Sequence, residues 1–224
     1  MQGPRRAPRP STRALDALPS IEGLIQRSRA LAMLDAVLSP EWEHRYYSFD
    51  SAWGDGEMMA SMRNGSGDEY FILFDGHGAV MKGFDHESIM SPWSSEVVDI
   101  WPGMYARLPD EFSSFINEPA FSIEDVTFCI WRRASDARWH CGIEEFPPGD
   151  DPDGSEWMLE VLGGDPAAYQ KFAREYYETE LPLPAIEHLY RMQPLDQELL
   201  GRLNSALSLD DIRADASEIG YPVS

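Results

Sequence analysis

From Glu57 to Phe84 apolar and polar positions alternate with a period of two, and turn residues interrupt the alternation twice. Successive side chains of a strand point to opposite faces, so this pattern predicts strands over Glu57–Arg63, Glu69–Phe74 and Ala79–Phe84. Asn64-Gly65-Ser66-Gly67 and Asp75-Gly76-His77-Gly78 supply the turns. Closing both turns as hairpins puts Met58, Ala60, Met62, Tyr70, Ile72, Phe74, Ala79 and Met81 on one apolar face. Ser61, Arg63, Glu69, Phe71 and Lys82 fall on the other, with Arg63 and Glu69 placed for a cross-strand ion pair.

A second hairpin is expected from Asp125–Arg133 and Arg138–Ile143 around Ala134-Ser135-Asp136-Ala137. Its register predicts Val126, Phe128, Ile130, Cys141 and Ile143 on one face, with Thr127, Cys129, Trp131 and His140 on the other. The cysteines then point apart, which argues against a disulfide. Pro109–Ile116 reads as a short helix, and after it the chain turns helical at its C-terminal end. Helices are predicted over Ser155–Leu162, Pro166–Thr179, Ala185–Met192, Leu195–Leu207 and Leu209–Glu218, with Asp165 and Ser208 as N-caps. Strands first and helices afterwards predict an α+β class: an antiparallel sheet, built from the N-terminal meander and the second hairpin, packed against C-terminal helices.

Residues 1–30 break this regularity. They carry Arg5, Arg6, Arg9, Arg13, Arg27 and Arg29 against Asp16 and Glu22, and Pro4, Pro8, Pro10 and Pro19 remove backbone donors. The expectation is a disordered basic arm over 1–30 and a single domain over 31–224, the arm serving at most as a targeting peptide or a tether to the acidic remainder.

Charge narrows the function. The 224 residues hold 39 Asp plus Glu against 18 Lys plus Arg, a formal net charge of −21. Nucleic acid and anionic lipid are repelled by such a field, so neither is expected as a partner. No apolar run reaches the roughly 18 residues of a membrane-spanning helix, and no export signal is read, so a cytoplasmic setting is expected. Two cysteines, Cys129 and Cys141, are too few for a disulfide framework or a cysteine-built zinc site. G-x-S-x-G, S-x-x-K and P-loop motifs are all absent.

Two clusters remain as candidates. Asp75 with His77 and Asp85 with His86 form a mixed His/carboxylate set which, if gathered at one end of the meander, suits a divalent metal that activates water. The competing reading is ordinary turn chemistry, and no cofactor is expected. Separately, no Lys or Arg occurs between Arg138 and Lys171, where Glu144, Glu145, Asp150, Asp151, Asp153 and Glu156 accumulate. With Trp131 or Trp157 as an aromatic anchor, these acids read as a surface complementary to a basic protein. A solvated face that keeps the chain soluble is the alternative.

The segments Glu57-Met58-Met59-Ala60-Ser61-Met62-Arg63-Asn64-Gly65-Ser66-Gly67, Lys82-Gly83-Phe84-Asp85-His86-Glu87 and Glu218-Ile219-Gly220-Tyr221-Pro222 resemble an uncharacterised family of small acidic bacterial proteins. In general character that family is similar to immunity proteins that neutralise secreted toxins. The resemblance spans about Met33 to the C-terminus and carries no active-site motif. The expectation is therefore an acidic protein-binding domain acting on a basic partner, such as a toxin, rather than an enzyme. A metal-dependent hydrolase and a structural protein stand as alternatives.

Overall fold

The computed structural model describes residues 8–95 and 98–224. The chain opens with α1 (Ile21–Leu38) and passes through β1 (Tyr47–Gly54), β2 (Glu57–Arg63), β3 (Glu69–Phe74) and β4 (Gly78–Phe84). A long excursion carrying α2 (Ser113–Asn117) leads to β5 (Phe128–Arg133) and β6 (His140–Cys141). Then come α3 (Ser155–Leu159), α4 (Pro166–Tyr176), α5 (Leu183–Tyr190), α6 (Gln197–Leu203) and α7 (Leu209–Ile219). The strands form an antiparallel sheet in sequence order, β1 to β6, so the class is α+β. Among the described residues no helix is long and apolar enough to cross a membrane.

The meander register is the predicted one. Arg63 pairs with Glu69, Met58 with Phe74, and Phe74 with Ala79. Ala60, Met62, Tyr70, Ile72, Phe74, Ala79 and Met81 all enter the main core, where α1, α4, α5 and α7 cover the sheet. Gly83 stands opposite Phe128, whose ring occupies the space a side chain would need: a Cβ on Gly83 would lie 2.1 Å from Phe128 Cζ.

The other face is not the polar surface the alternation suggests. Met59, Phe71, Leu73, Val80, Cys129 and Trp131 form a second core with Met90, Met104, Phe112, Phe115 and Phe121 from the excursion between β4 and β5. A sheet buried on both faces shows little alternation in hydrophobicity, which is why β3 ends in the unbroken run Tyr70-Phe71-Ile72-Leu73-Phe74. Lys82 is fully buried in this layer. Its Nζ donates to Glu69 Oε1 at 3.2 Å and to the carbonyls of Ser122 and Asp125 at 3.0 and 2.7 Å. Glu69 thus pairs with Lys82, while the Arg63 guanidinium lies over the Phe71 ring. Val126 and Ile143 join the second core against the predicted register, because both lie beyond the paired strand residues. Cys141 packs against the same core as Cys129, so the two cysteines do not point to opposite sides.

The expected arm is corrected by the structure. Residues 1–7 lie outside the described set, but the chain is built into the body from Pro8 onward. Ser20 caps α1 by accepting from Gly23 N, and Leu24, Ala30 and Leu31 are core residues. Ser11 and Thr12 are buried as well. Polar side chains scattered through Ile21–Arg29 hide the helix in the sequence. Its second half, Ala30–Val37, is buried on every side and so lacks an amphipathic stripe.

At the centre of the main core Asp35 gathers four donors. Tyr46 N and Tyr47 N reach Oδ2 at 2.9 and 2.7 Å, Tyr177 Oη reaches it at 2.8 Å, and Tyr169 Oη reaches Oδ1 at 2.6 Å. One carboxylate therefore ties α1 to β1 and to both ends of α4.

Candidate functional site

The β2–β3 turn and the residues after β4 meet at one end of the sheet, because Glu69 pairs with Phe84. Asn64 shapes the turn by accepting from Ser66 N and Asp68 N. That turn delivers Asp68, whose Oδ1 accepts from both His86 N, at 2.9 Å, and His86 Nδ1, at 2.6 Å. Asn64 Nδ2 donates to the other oxygen. The hydrogen bond to Asp68 raises the pKa of His86, so the ring is held as a donor toward that carboxylate.

Asp85 lies next to them. Its Oδ1 accepts from Glu87 N at 3.0 Å, and its Oδ2 accepts from Trp157 Nε1 at 2.9 Å. Gly154 permits the close approach of the α3 loop: its φ is +75°, and a Cβ there would sit 2.4 Å from Asp85 Oδ2. Thr127 Oγ1 accepts from Asp85 N and donates to the carbonyl of Asp153, and Ser88 Oγ donates to that of Pro152. These bonds fix the loop before α3 against the end of β4.

Between the two runs a groove of about 390 Å³, lined by Asp68, Asp85, Glu87, Ser88, Ile89, Pro148, Gly149, Asp150, Asp151, Pro152 and Trp157. Five carboxylates face it, and no Lys or Arg lines it. The sequence clusters that were read separately, Asp85 with His86 and Asp150 with Asp151 and Trp157, are neighbours here.

The remaining predicted residues go elsewhere. Asp75 and His77 occupy the β3–β4 turn, where Asp75 Oδ1 accepts from His77 N and Gly78 N. Asp85 and His86 follow the other end of β4, seven residues away and roughly 20 Å along an extended strand. The four-residue metal set is therefore not assembled. Among the described residues two sets do come together, each with ligand atoms within 4.8 Å of one another: Asp68, Asp85 and His86 at this end of the meander, and the exposed Glu41, Glu43 and His44 before β1. Asp68 was missed, although the predicted hairpin register already placed it beside Asp85.

The acidic surface is also partly dismantled. Asp153 is buried at 1% exposure and accepts from Thr12 Oγ1, Ser155 N and Ser155 Oγ. Its pKa is raised, chiefly by desolvation. Asp151 caps α3 through Glu156 N and Trp157 N. Glu156 lies 3.6 Å from Arg9. Glu144 pairs with Arg107 at 3.0 Å, and with Glu145 it lines a separate cleft of about 440 Å³ beside Trp101. Trp131 is buried at 4% exposure and cannot anchor a partner, whereas Trp157 is 40% exposed.

Both cysteines are free. Burial pushes the Cys141 thiol up to about 11 and the Cys129 thiol higher still, so neither supplies a thiolate near neutral pH. Comparison with protein-family models, with curated proteins and with solved structures finds no significant match to this chain.

Proposed function

We propose that this chain is an acidic protein-binding domain whose groove between the end of β4 and the loop before α3 receives a basic segment of a partner protein. The observation that carries the reading is the lining: Asp68, Asp85, Glu87, Asp150 and Asp151 face one concavity without a Lys or Arg among them, and exposed Trp157 stands with them. A cleft lined by one sign of charge focuses its field and speeds encounter with the opposite sign. An indole held in place by a hydrogen bond to Asp85 offers contact area at low entropic cost. A toxin with a basic cleft is one partner of this chemistry, in keeping with the resemblance to immunity proteins, and a cytoplasmic setting belongs to the same reading.

The test is capture of a partner from the native host in low and then high salt, followed by measurement of its association rate. Asp151 and Asp153 are poor probes because they hold the loop together. Glu87→Gln with Asp150→Asn removes two groove charges and leaves those bonds in place. The association rate should fall and its salt dependence flatten, with dissociation changing less. An unchanged rate would remove the groove from the interface.

A second reading rests on the Asp68–Asp85–His86 cluster, which has the donor set of a divalent-metal centre supporting hydrolysis. His86 Nδ1 is already committed to Asp68, and a metal at that nitrogen would displace the bond. Calorimetric titration with Zn²⁺ and Mn²⁺, repeated on His86→Ala, separates the two readings.

A further inference from the structure

At the same end of the sheet as the acidic groove, a second pocket lies at the corner where β1 begins and β2 ends. Ser48 and Ser61 pair there across the strands, Oγ to Oγ at 2.7 Å, and Arg63 closes β2. Trp42, from the 3-10 turn Trp42–His44, and Tyr176, from the last turn of α4, join them around a pocket of about 330 Å³. Small-molecule sites begin at roughly this volume.

We propose that this pocket binds an uncharged saccharide. Its aromatic walls are solvent-facing: Trp42 is 56% exposed and Tyr176 is 43% exposed. The Tyr176 ring is nonetheless fixed, stacked on Phe172 at 5.4 Å and met edge-on by Tyr46 and Tyr177 at 4.9 and 4.8 Å. A rigid exposed ring presents its negative face to the weakly positive C–H groups of a sugar ring without losing side-chain freedom on binding.

The polar groups at the pocket both donate and accept. His44 Nε2 lies 3.7 Å from Glu43 and 3.1 Å from Glu41. Arg45 is consumed by Asp215, at 2.7 and 2.9 Å, and by the carbonyls of Ser39 and Pro40. What remains is Arg63 as a donor, with no carboxylate partner among the described residues, Glu43 as an acceptor, and the Ser48–Ser61 pair, whose bond to each other leaves one hydroxyl hydrogen free. Sugar hydroxyls donate and accept in the same balance. An anionic ring such as a nucleotide would meet Glu43 and the field of a chain at −21. The competing occupant is a cation at Glu41, Glu43 and His44, which a parallel titration with Zn²⁺ distinguishes. Loss of saccharide binding in Trp42→Ala without loss of Zn²⁺ binding supports the saccharide, and Zn²⁺ binding alone overturns it.

Saturation-transfer NMR on the full chain, with tryptophan fluorescence titration, tests the assignment against glucose, galactose, mannose, N-acetylglucosamine, cellobiose, chitobiose and AMP. At least one saccharide should bind. Trp42→Ala and Tyr176→Ala should each weaken it about tenfold. Trp42 is exposed, so the thermal midpoint of Trp42→Ala should stay near that of the parent, which separates lost binding from lost fold. Tyr176→Ala also loses ring contacts with Tyr46, Phe172 and Tyr177 and should lower the midpoint. Absence of saccharide binding, preference for AMP, or binding indifferent to Trp42→Ala would each overturn the assignment.

Discussion

The hydroxyl of Thr12 donates to Asp153 Oδ2 at 2.5 Å, across 141 positions of the chain, and both residues are buried. Thr12 N reaches Ser155 Oγ at 3.1 Å beside it. Farther out, Arg9 pairs with Glu160 at 3.1 Å and Arg13 donates to the Gly149 carbonyl. The basic N-terminal stretch therefore secures the same loop that forms one wall of the groove.

Thr12→Val keeps the side-chain shape and removes the donor to a buried carboxylate. The expected cost is about 2 kcal/mol in urea unfolding. Arg9→Ala, at the surface, should cost under about 1 kcal/mol. Equal effects from the two substitutions would show that the hydroxyl bond is not what fixes the segment.

Asp35 should make stability fall as pH rises through the mildly acidic range. Its burial raises the pKa from 3.8 to about 6, even though four hydrogen bonds oppose the shift. The folded state then holds the proton more tightly than the unfolded one. This group's contribution is greatest below about pH 4, is lost between about 4 and 6, and is flat above, a change of roughly 3 kcal/mol. Asp35→Asn does not titrate, so the stability difference between parent and variant should shrink over that window. A difference independent of pH would assign the titration to another group.

Lys82→Met would leave Glu69 and the carbonyls of Ser122 and Asp125 without their shared donor. Removing one partner of a buried ion pair typically costs about 3–5 kcal/mol, far more than a surface lysine. Denaturant unfolding measures it, and a loss below about 1 kcal/mol would show that the acceptors find water instead.

His86 should titrate above its ordinary value of 6.5 by NMR, because Asp68 accepts from its ring. The stabilisation from this pair is complete below the unfolded-state pKa and is lost as pH rises through the folded one. In Asp68→Asn the titration should return toward 6.5. A midpoint indifferent to that substitution would mean the ring does not bond Asp68 in solution.

The period-two pattern from Glu57 to Phe84 fixed three strands, their turns and their register, because tight antiparallel hairpins depend on near neighbours. Local chemistry likewise placed α4 behind Asp165 and Pro166, and α7 behind Ser208. Residues 21–38 and 47–54 were illegible: a helix whose second half is buried on all sides and an edge strand with a bulge carry neither clean period.

Tertiary structure decided the rest through long-range contact. The second core arises because a chain excursion with little regular structure folds back over the sheet, which no local pattern announces. The candidate groove needs two segments 59 positions apart, Asp68–Ile89 and Pro148–Trp157. Composition located the acids, and only packing separated the buried Asp153 from the groove-facing Asp150. Desolvation and hydrogen bonding depend on which groups the fold brings together, not on the order in which the chain presents them.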